Sequence, residues 1–302
     1  MPVNSVRSVL QGVIPTEGRK VLRALLHYSQ RILRWPIILI QVRGRSARDQ
    51  WVLVKSALAS PVIALRDIQG WQDPVLLQDV VVTVPGIGQF ELRHHTDDLW
   101  HVTPWRERAI IGFLRKSLRP GDVFVDAGAN LGIYTVLASR LVGAAGRVIS
   151  IEMMPDTADR LDAHIRLNML SNVTVVRKAL SNEAGQVVVA TVEEGKYGQA
   201  TIATDVSRYG LGKEVQVTTT TLDEVTGGVE HVRLMKIDLE GAEFAALQGA
   251  KDLLGRLQVC IFECWSSERC ASELIEHMLQ QSDFVVSQLD GNNYAAERRA
   301  VR

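Results

Sequence analysis

Residues 123–132, VFVDAGANLG, constrain the fold of this chain more than any other stretch. A continuous β-prone run, Val123-Phe124-Val125, follows the turn residues Pro120-Gly121-Asp122 and ends in an acid, after which glycines open a helical pattern. An apolar run without alternation is what a strand buried on both faces requires, as in a parallel sheet. Gly128 and Gly132 let the backbone turn tightly and approach a ligand with no Cβ in the way. Their spacing departs from G-x-G-x-x-G, and no Lys-Ser or Lys-Thr follows, so neither a dinucleotide fingerprint nor a phosphate-cradling loop is present. An α/β sheet is expected, with its ligand above the carboxyl ends of the strands and not led by phosphate.

The same ending recurs. Residues 147–151 lead into Glu152, residues 232–237 into Asp238, and residues 259–262 into Glu263. The pattern predicts that Asp126, Glu152, Asp238 and Glu263 converge in register on one rim, although Glu263 alone reads equally well as a loop or capping residue. A rim this acidic repels pyrophosphate and suits an ammonium, a sulfonium or ribose hydroxyls.

DAGANLGIYT, the acid of IEMMP placed 26 residues after Asp126, and LMKIDLEGAEFAALQGA together resemble the FkbM-type S-adenosylmethionine-dependent methyltransferases. The resemblance runs from about Trp105 to the C-terminus, and KIDLEGAE is its most specific element. It implies a doubly wound, mostly parallel Rossmann-like sheet binding S-adenosyl-L-methionine. By the same resemblance Asp126, Gly128 and Asn130 surround the methionine part and Glu152 holds the ribose; Gly132 of the same turn is expected to join them, Ala179, after the strand at 173–176, to lie towards the adenine, and Asp238, at a strand end on the same rim, to lie near the transferring methyl. The implied reaction is methylation of a hydroxyl on a sugar, glycolipid or polyketide-type molecule. A nucleic-acid or protein N-methyltransferase and a non-catalytic cofactor-binding partner are the alternatives.

A neutral hydroxyl is a poor nucleophile unless its proton leaves as the new bond forms. Asp238 is expected to take that proton or orient the acceptor. Glu240 is expected to position it, because a helix N-terminus favours its ionised form and weakens it as a base. Hard oxygen ligands suit magnesium, yet no separate ligand cluster accompanies the motif, so a metal-free mechanism is the expectation.

Composition narrows the partners. Lysine plus arginine equals aspartate plus glutamate at 34 each among 302 residues, so no global field recruits nucleic acid. Cys260, Cys264 and Cys270 have neither disulfide nor zinc spacing and read as reduced thiols, with Cys260 and Cys264 in the core. The first residues lack the apolar stretch of a secretory signal, and residues 36–40 are far short of a bilayer span, so a cytoplasmic location is expected.

The neutral total hides an asymmetry, since residues 1–70 carry 11 Lys or Arg against 3 acids, a balance of +8. Leu22, Leu25, Leu26, Ser29 and Leu33 recur there at helical spacing, with Arg23, Gln30, Arg31 and Arg34 elsewhere around the turn. This helix reads either as packed on the rest of the chain or on a second copy with its arginines solvated, or as docked peripherally on an anionic membrane. Trp35-Pro36 is expected to end it, and residues 46–60 to form another helix before Pro61.

Three regions result: a basic, mainly helical segment (1–78), a hairpin and connection (79–104), and the cofactor-binding domain (105–302). The hairpin pairs residues 80–84 with 90–93 around Pro85-Gly86-Ile87-Gly88. A polar cluster of His94, His95, Asp97, Asp98 and His101 follows, any histidine of which is a candidate base, before a helix from Pro104 to about Lys116. Further helices are expected at 133–141, 157–170, 242–254 and 273–280. Further strands are expected at 173–176, 186–192, 214–220, 284–289 and 294–296.

Overall fold

The computed structural model describes residues 16–66, 73–202, 212–263, 276–278, 280 and 283–299. In chain order, helix α1 (Thr16–Gln41) leads through the two-residue strand β1 (Arg43–Gly44) to α2 (Ala47–Arg66), then to the hairpin β2 (Val80–Val84) and β3 (Gly88–Leu92). The short α3 (Asp98–His101) and α4 (Arg108–Ser117) precede an α/β unit of β4 (Val123–Ala127), α5 (Ile133–Val142), β5 (Arg147–Ile151), α6 (Pro155–Leu167) and β6 (Val173–Val176). Next come β7 (Ala179–Leu180), β8 (Val187–Val192), a 3-10 turn at Tyr197–Gln199, β9 (Lys213–Thr220) and α7 (Leu222–Val225). The chain continues through β10 (Val232–Ile237), α8 (Glu243–Gln248), α9 (Lys251–Arg256), β11 (Leu257–Glu263), β12 (Phe284–Asp290) and β13 (Asn293–Arg298).

Seven strands form the main sheet in the order β12-β13-β11-β10-β4-β5-β6. Strands β11, β10, β4, β5 and β6 are mutually parallel, whereas β13 is antiparallel to both β11 and β12. β4 is therefore the switch point, with β5 built outward on one side and β10 on the other, and ligands of open α/β sheets bind above such a point. Its apolar run explains its place, for Phe124 and Val125 are both 0% exposed and contribute to cores on opposite faces of the sheet.

The accessory elements share that core. Trp35, Ile38 and Val42 of the α1 region, Leu53 of α2 and Val82 and Phe90 of the hairpin belong to the same buried cluster as Phe124, Val136 and Leu234. His164 of α6 locks the hairpin on: its Nδ1–H donates to Leu131 O at 2.8 Å, while Nε2 accepts from Glu91 N at 2.9 Å. Burial holds the His164 imidazole below its usual pKa, in keeping with this neutral tautomer.

Several local expectations change. Both α1 and α2 run through their prolines, Pro36 and Pro61, because buried residues on each side keep the helix docked: Trp35 and Ile38 in one, Ser60 and Ala64 in the other. In residues 28–42 the buried positions are Arg31, Trp35 and Ile38 of α1 and Val42 just after it, whereas Leu33 of the expected stripe is 66% exposed; the side chains of Leu22, Leu25 and Leu26 lie outside the described ones. Nor is Arg34 simply solvated, since it pairs with Asp73 at 2.7 Å and lies 4.2 Å over the Trp100 ring.

Residues 103–106 form turns, so the helix expected from Pro104 begins at Arg108. The single helix expected over 242–254 breaks at Gly249, where an added Cβ would stand 2.5 Å from Ser181 O. Of the helix expected at 273–280, residues 276–278 and 280 are described and helical. Cys260 is fully buried and burial pushes its thiol up to about 12, while Cys264 and Cys270 lie outside the described residues.

Candidate active site

Register sorts the four predicted rim acids. Ala127 pairs with Ile151 and Ile237, and Ile237 with Phe262, so the next residue of each strand is Gly128, Glu152, Asp238 and Glu263. Three acids are in one row, as expected. Asp126 is not, because it comes two residues earlier than Gly128, which occupies the slot in that row; it sits below the rim with 0% exposure. There its Oδ2 accepts from Thr135 Oγ1 at 2.6 Å, and it does not line the cleft above. Burial raises the Asp126 carboxyl, against the pull of Lys236 and Thr135.

Above the row opens a cleft enclosing about 940 Å³ of non-atom space, its open mouth included. Its floor is the 128–132 loop and the first residues of α5, with Gly128 and Gly132 both at φ 82° and Asn130 at φ 49°. At Gly128 a side chain is excluded twice, by the positive φ and by Asp238 O standing 1.9 Å from any Cβ. This close approach brings the β4 and β10 loops together.

Glu152 anchors one end. Its Oε2 accepts from Asn130 N and its Oε1 from Met154 N, each at 2.9 Å. Burial nevertheless pushes its carboxyl up to about 7. Each oxygen keeps a second lone pair, which suits a pair of hydroxyl donors. Lys178, Ala179 and Leu180 continue the wall from there, so Ala179 does face the cleft.

The other end is built by the loop after β10. Glu243 Oε1 accepts from Leu239 N at 2.7 Å, and both its carboxylate oxygens accept from Gly241 N, holding Glu240 at φ 50° and Gly241 at φ 107°. Glu243 thus shapes the turn, and Asp238 and Glu240 line the cleft. Lys236 Nζ lies 2.8 Å from Asp238 Oδ2 and 4.8 Å from the centre of the Tyr134 ring. Although burial favours the neutral acid, Lys236 and Arg106 hold the Asp238 carboxyl below its usual range. Glu240 behaves oppositely, as burial, then Asp238 and Glu243, push its carboxyl up to about 8. Glu263 is likewise pushed up to about 8, by burial and then by Asp238.

Residues outside the predicted set complete the lining of the cleft. Arg106, Glu107, Tyr134, Tyr197 and Lys236 all line the cleft. Lys236 carried a legible signal, a lysine in the middle of an apolar strand; Arg106, Glu107, Tyr134 and Tyr197 carried none. Of the histidine cluster, His101 reaches the cleft, whereas His94 pairs with Asp79 in an exposed position. An arginine can only donate, so Arg106 Nη1 donates to His101 Nδ1 at 2.6 Å, which leaves Nε2–H for Asp97 Oδ2 at 3.2 Å. With both nitrogens engaged, His101 is a poor general base. Among the described residues no cluster of His, Cys, Asp and Glu has the arrangement of a metal site.

Residues 126–292 match the family described as Methyltransferase FkbM domain. Over 251 residues the chain is 24% identical to hexuronic acid methyltransferase AglP of Haloferax volcanii, covering 78% of this chain and 92% of that one. It is 26% identical over 198 residues to methyltransferase sdnD of Sordaria araneosa, covering 56% of this chain and 76% of that one. Among solved structures it is similar to methyltransferase FkbM of Methylobacillus flagellatus, at 15% identity and a TM-score of 0.43, covering 67% of this chain and 54% of that one.

Proposed function

The chain belongs to the FkbM methyltransferase family, and from that premise we propose that this S-adenosylmethionine-dependent methyltransferase acts on a hydroxyl of a sugar-like acceptor. The observation that carries the reading is the cleft with two unlike acidic ends, Glu152 at one and the Asp238–Glu240 turn at the other. Likeness to a protein named hexuronic acid methyltransferase supports the sugar class.

The donor set suits a ligand that is cationic at its reacting end and rich in hydroxyls elsewhere. Glu152 would hold the ribose hydroxyls, Gly128, Asn130 and Gly132 would flank the methionine part, and Lys178 to Leu180 would border the adenine. Asp126 acts from beneath, fixing the loop through Thr135 rather than touching the ligand. When bound, S-adenosylmethionine supplies an electrophilic methyl on a sulfonium.

The proton assignment moves from Asp238 to Glu240. An acid held ionised by a buried ammonium has little appetite for a proton, whereas a carboxylate raised to about 8 is a usable base near neutral pH. In this reading a Glu240 carboxylate oxygen accepts the acceptor's hydroxyl proton, and Asp238, braced by Lys236, orients the acceptor. Much of the rate comes from holding the reacting oxygen in line.

The test supplies S-adenosylmethionine with an isotope-labelled methyl to oligosaccharides with and without hexuronic acid, and reads the product by NMR. Label on an ether oxygen is expected. Label on nitrogen, with none on any hydroxyl, would overturn the reading.

A further inference from the structure

Helix α2 is apolar on its outer side as well as its inner one. Trp51, Leu58, Val62 and Leu65 are each more than half exposed, while Val52, Leu53, Ser56, Ser60 and Ala64 face the interior. At 100° per residue the four exposed residues fall within a strip about 60° wide, and it runs about 21 Å along the helix. α1 packs beside α2 and likewise turns Leu33 and Ile40 outward, each more than half exposed. A patch of this kind marks a contact surface.

Charge identifies the occupant. Among the described side chains of residues 28–65, the exposed charged ones are Arg43, Arg45, Arg48 and Lys55, all basic; the acid Asp49 is buried and bonded to Ser46. A second copy of the chain would present the same cations to these across a two-fold axis, which repels. An anionic bilayer is complementary in both respects, taking the apolar strip into its interface and the arginines against its headgroups. Because no described helix is long and apolar enough to cross a membrane, the helix would lie on the surface. Position adds a second argument. Gln41, next to exposed Ile40, accepts through Oε1 from Trp105 N at 2.8 Å, and Trp105 is itself 42% exposed and adjoins Arg106 of the cleft. This hydrogen bond ties the end of α1 to the segment that leads into the cleft.

We propose that this face docks on an anionic lipid bilayer, holding the mouth of the cleft at the membrane surface. The inference goes beyond the methyl-transfer reading, and vesicle binding is measured without any acceptor, so the two fail separately.

The full chain is incubated with vesicles of phosphatidylcholine alone, or with a minority of phosphatidylglycerol, and the bound fraction is read by flotation. Binding to the anionic vesicles is expected, falling as salt approaches ~1 M, where the screening length is about 3 Å. Leu58→Glu with Val62→Glu should weaken it by roughly tenfold or more, because both residues leave the apolar interface, while S-adenosylhomocysteine still raises the melting temperature as in the parent. Arg43→Glu with Arg45→Glu should weaken binding to anionic vesicles alone. Absence of binding to anionic vesicles would overturn the proposal, as would binding by both double variants as strong as the parent's. So would conversion of a dimer to a monomer by Leu58→Glu with Val62→Glu, which would make the face an interface between copies.

Discussion

The Lys236 ammonium lies 2.8 Å from the Asp238 carboxylate at the end of the same strand, with the lysine side chain 5% exposed and the aspartate 26%. A buried cation at a strand end beside the cleft does two things. It keeps Asp238 ionised, and it leaves the neighbouring Glu240 as the carboxylate whose proton affinity rises.

Removing the cation alone should therefore cost more than removing the pair. Lys236→Met is expected to lose about 2 kcal/mol of stability, less than for a fully buried pair because Asp238 is partly solvated. Adding Asp238→Asn should recover much of that loss. Chemical denaturation of the single and double variants measures it, and an additive loss would show that the pair is not coupled.

If Glu240 takes the acceptor's proton, the turnover number should rise with pH and level off above about 8, the value to which its carboxyl is raised. Glu240→Gln should lower turnover by roughly 10²- to 10⁴-fold and erase that limb, with S-adenosylhomocysteine affinity changed little. An unaltered pH profile in the variant would return the proton to Asp238.

Stability should move the opposite way with pH. Glu152, Glu240 and Glu263 bind protons more tightly in the folded chain, with raised values of about 7, 8 and 8 against an ordinary 4.5. Their contribution is fully present below about pH 4.5 and is lost as pH rises through 7 to 8. Thermal melts of the ligand-free protein should show Glu240→Gln with Glu263→Gln gaining on the parent between pH 5 and pH 8. A constant difference across that window would contradict the assigned shifts.

Gly128 is the joint between the β4 and β10 loops. Gly128→Ala must accept φ 82° and place a Cβ 1.9 Å from Asp238 O, so it should cost roughly 1–3 kcal/mol or more and weaken cofactor binding with it. Gly143, with φ 65° and nothing within 4 Å of an added Cβ, is the control: alanine there should lose only the strain.

What the residues alone reveal is the order of elements, because uninterrupted apolar runs such as 123–125 and 232–237 have few alternatives to buried strands. The hairpin was legible for a similar reason, its two β-type runs being separated by a proline and glycines. Register was not legible: that Asp126 stands two places before the acidic row depends on where β4 stops pairing with β5, which no local pattern encodes. Helices that continue through Pro36 and Pro61 depend on partners distant in sequence. The choice of base between Asp238 and Glu240 turns likewise on burial and on the Lys236 ion pair, neither of which helix position reveals.

In the proposed function the cleft beside Glu152 is the site of S-adenosylmethionine. Calorimetric titration of S-adenosylhomocysteine tests this without an acceptor. Hydroxyl donors favour an ionised Glu152, so binding should tighten as pH rises through about 7 and release protons below it, and Glu152→Gln should bind about tenfold or more weakly with that pH dependence gone. Equal affinity and equal proton release in the parent and in Glu152→Gln would place the cofactor elsewhere.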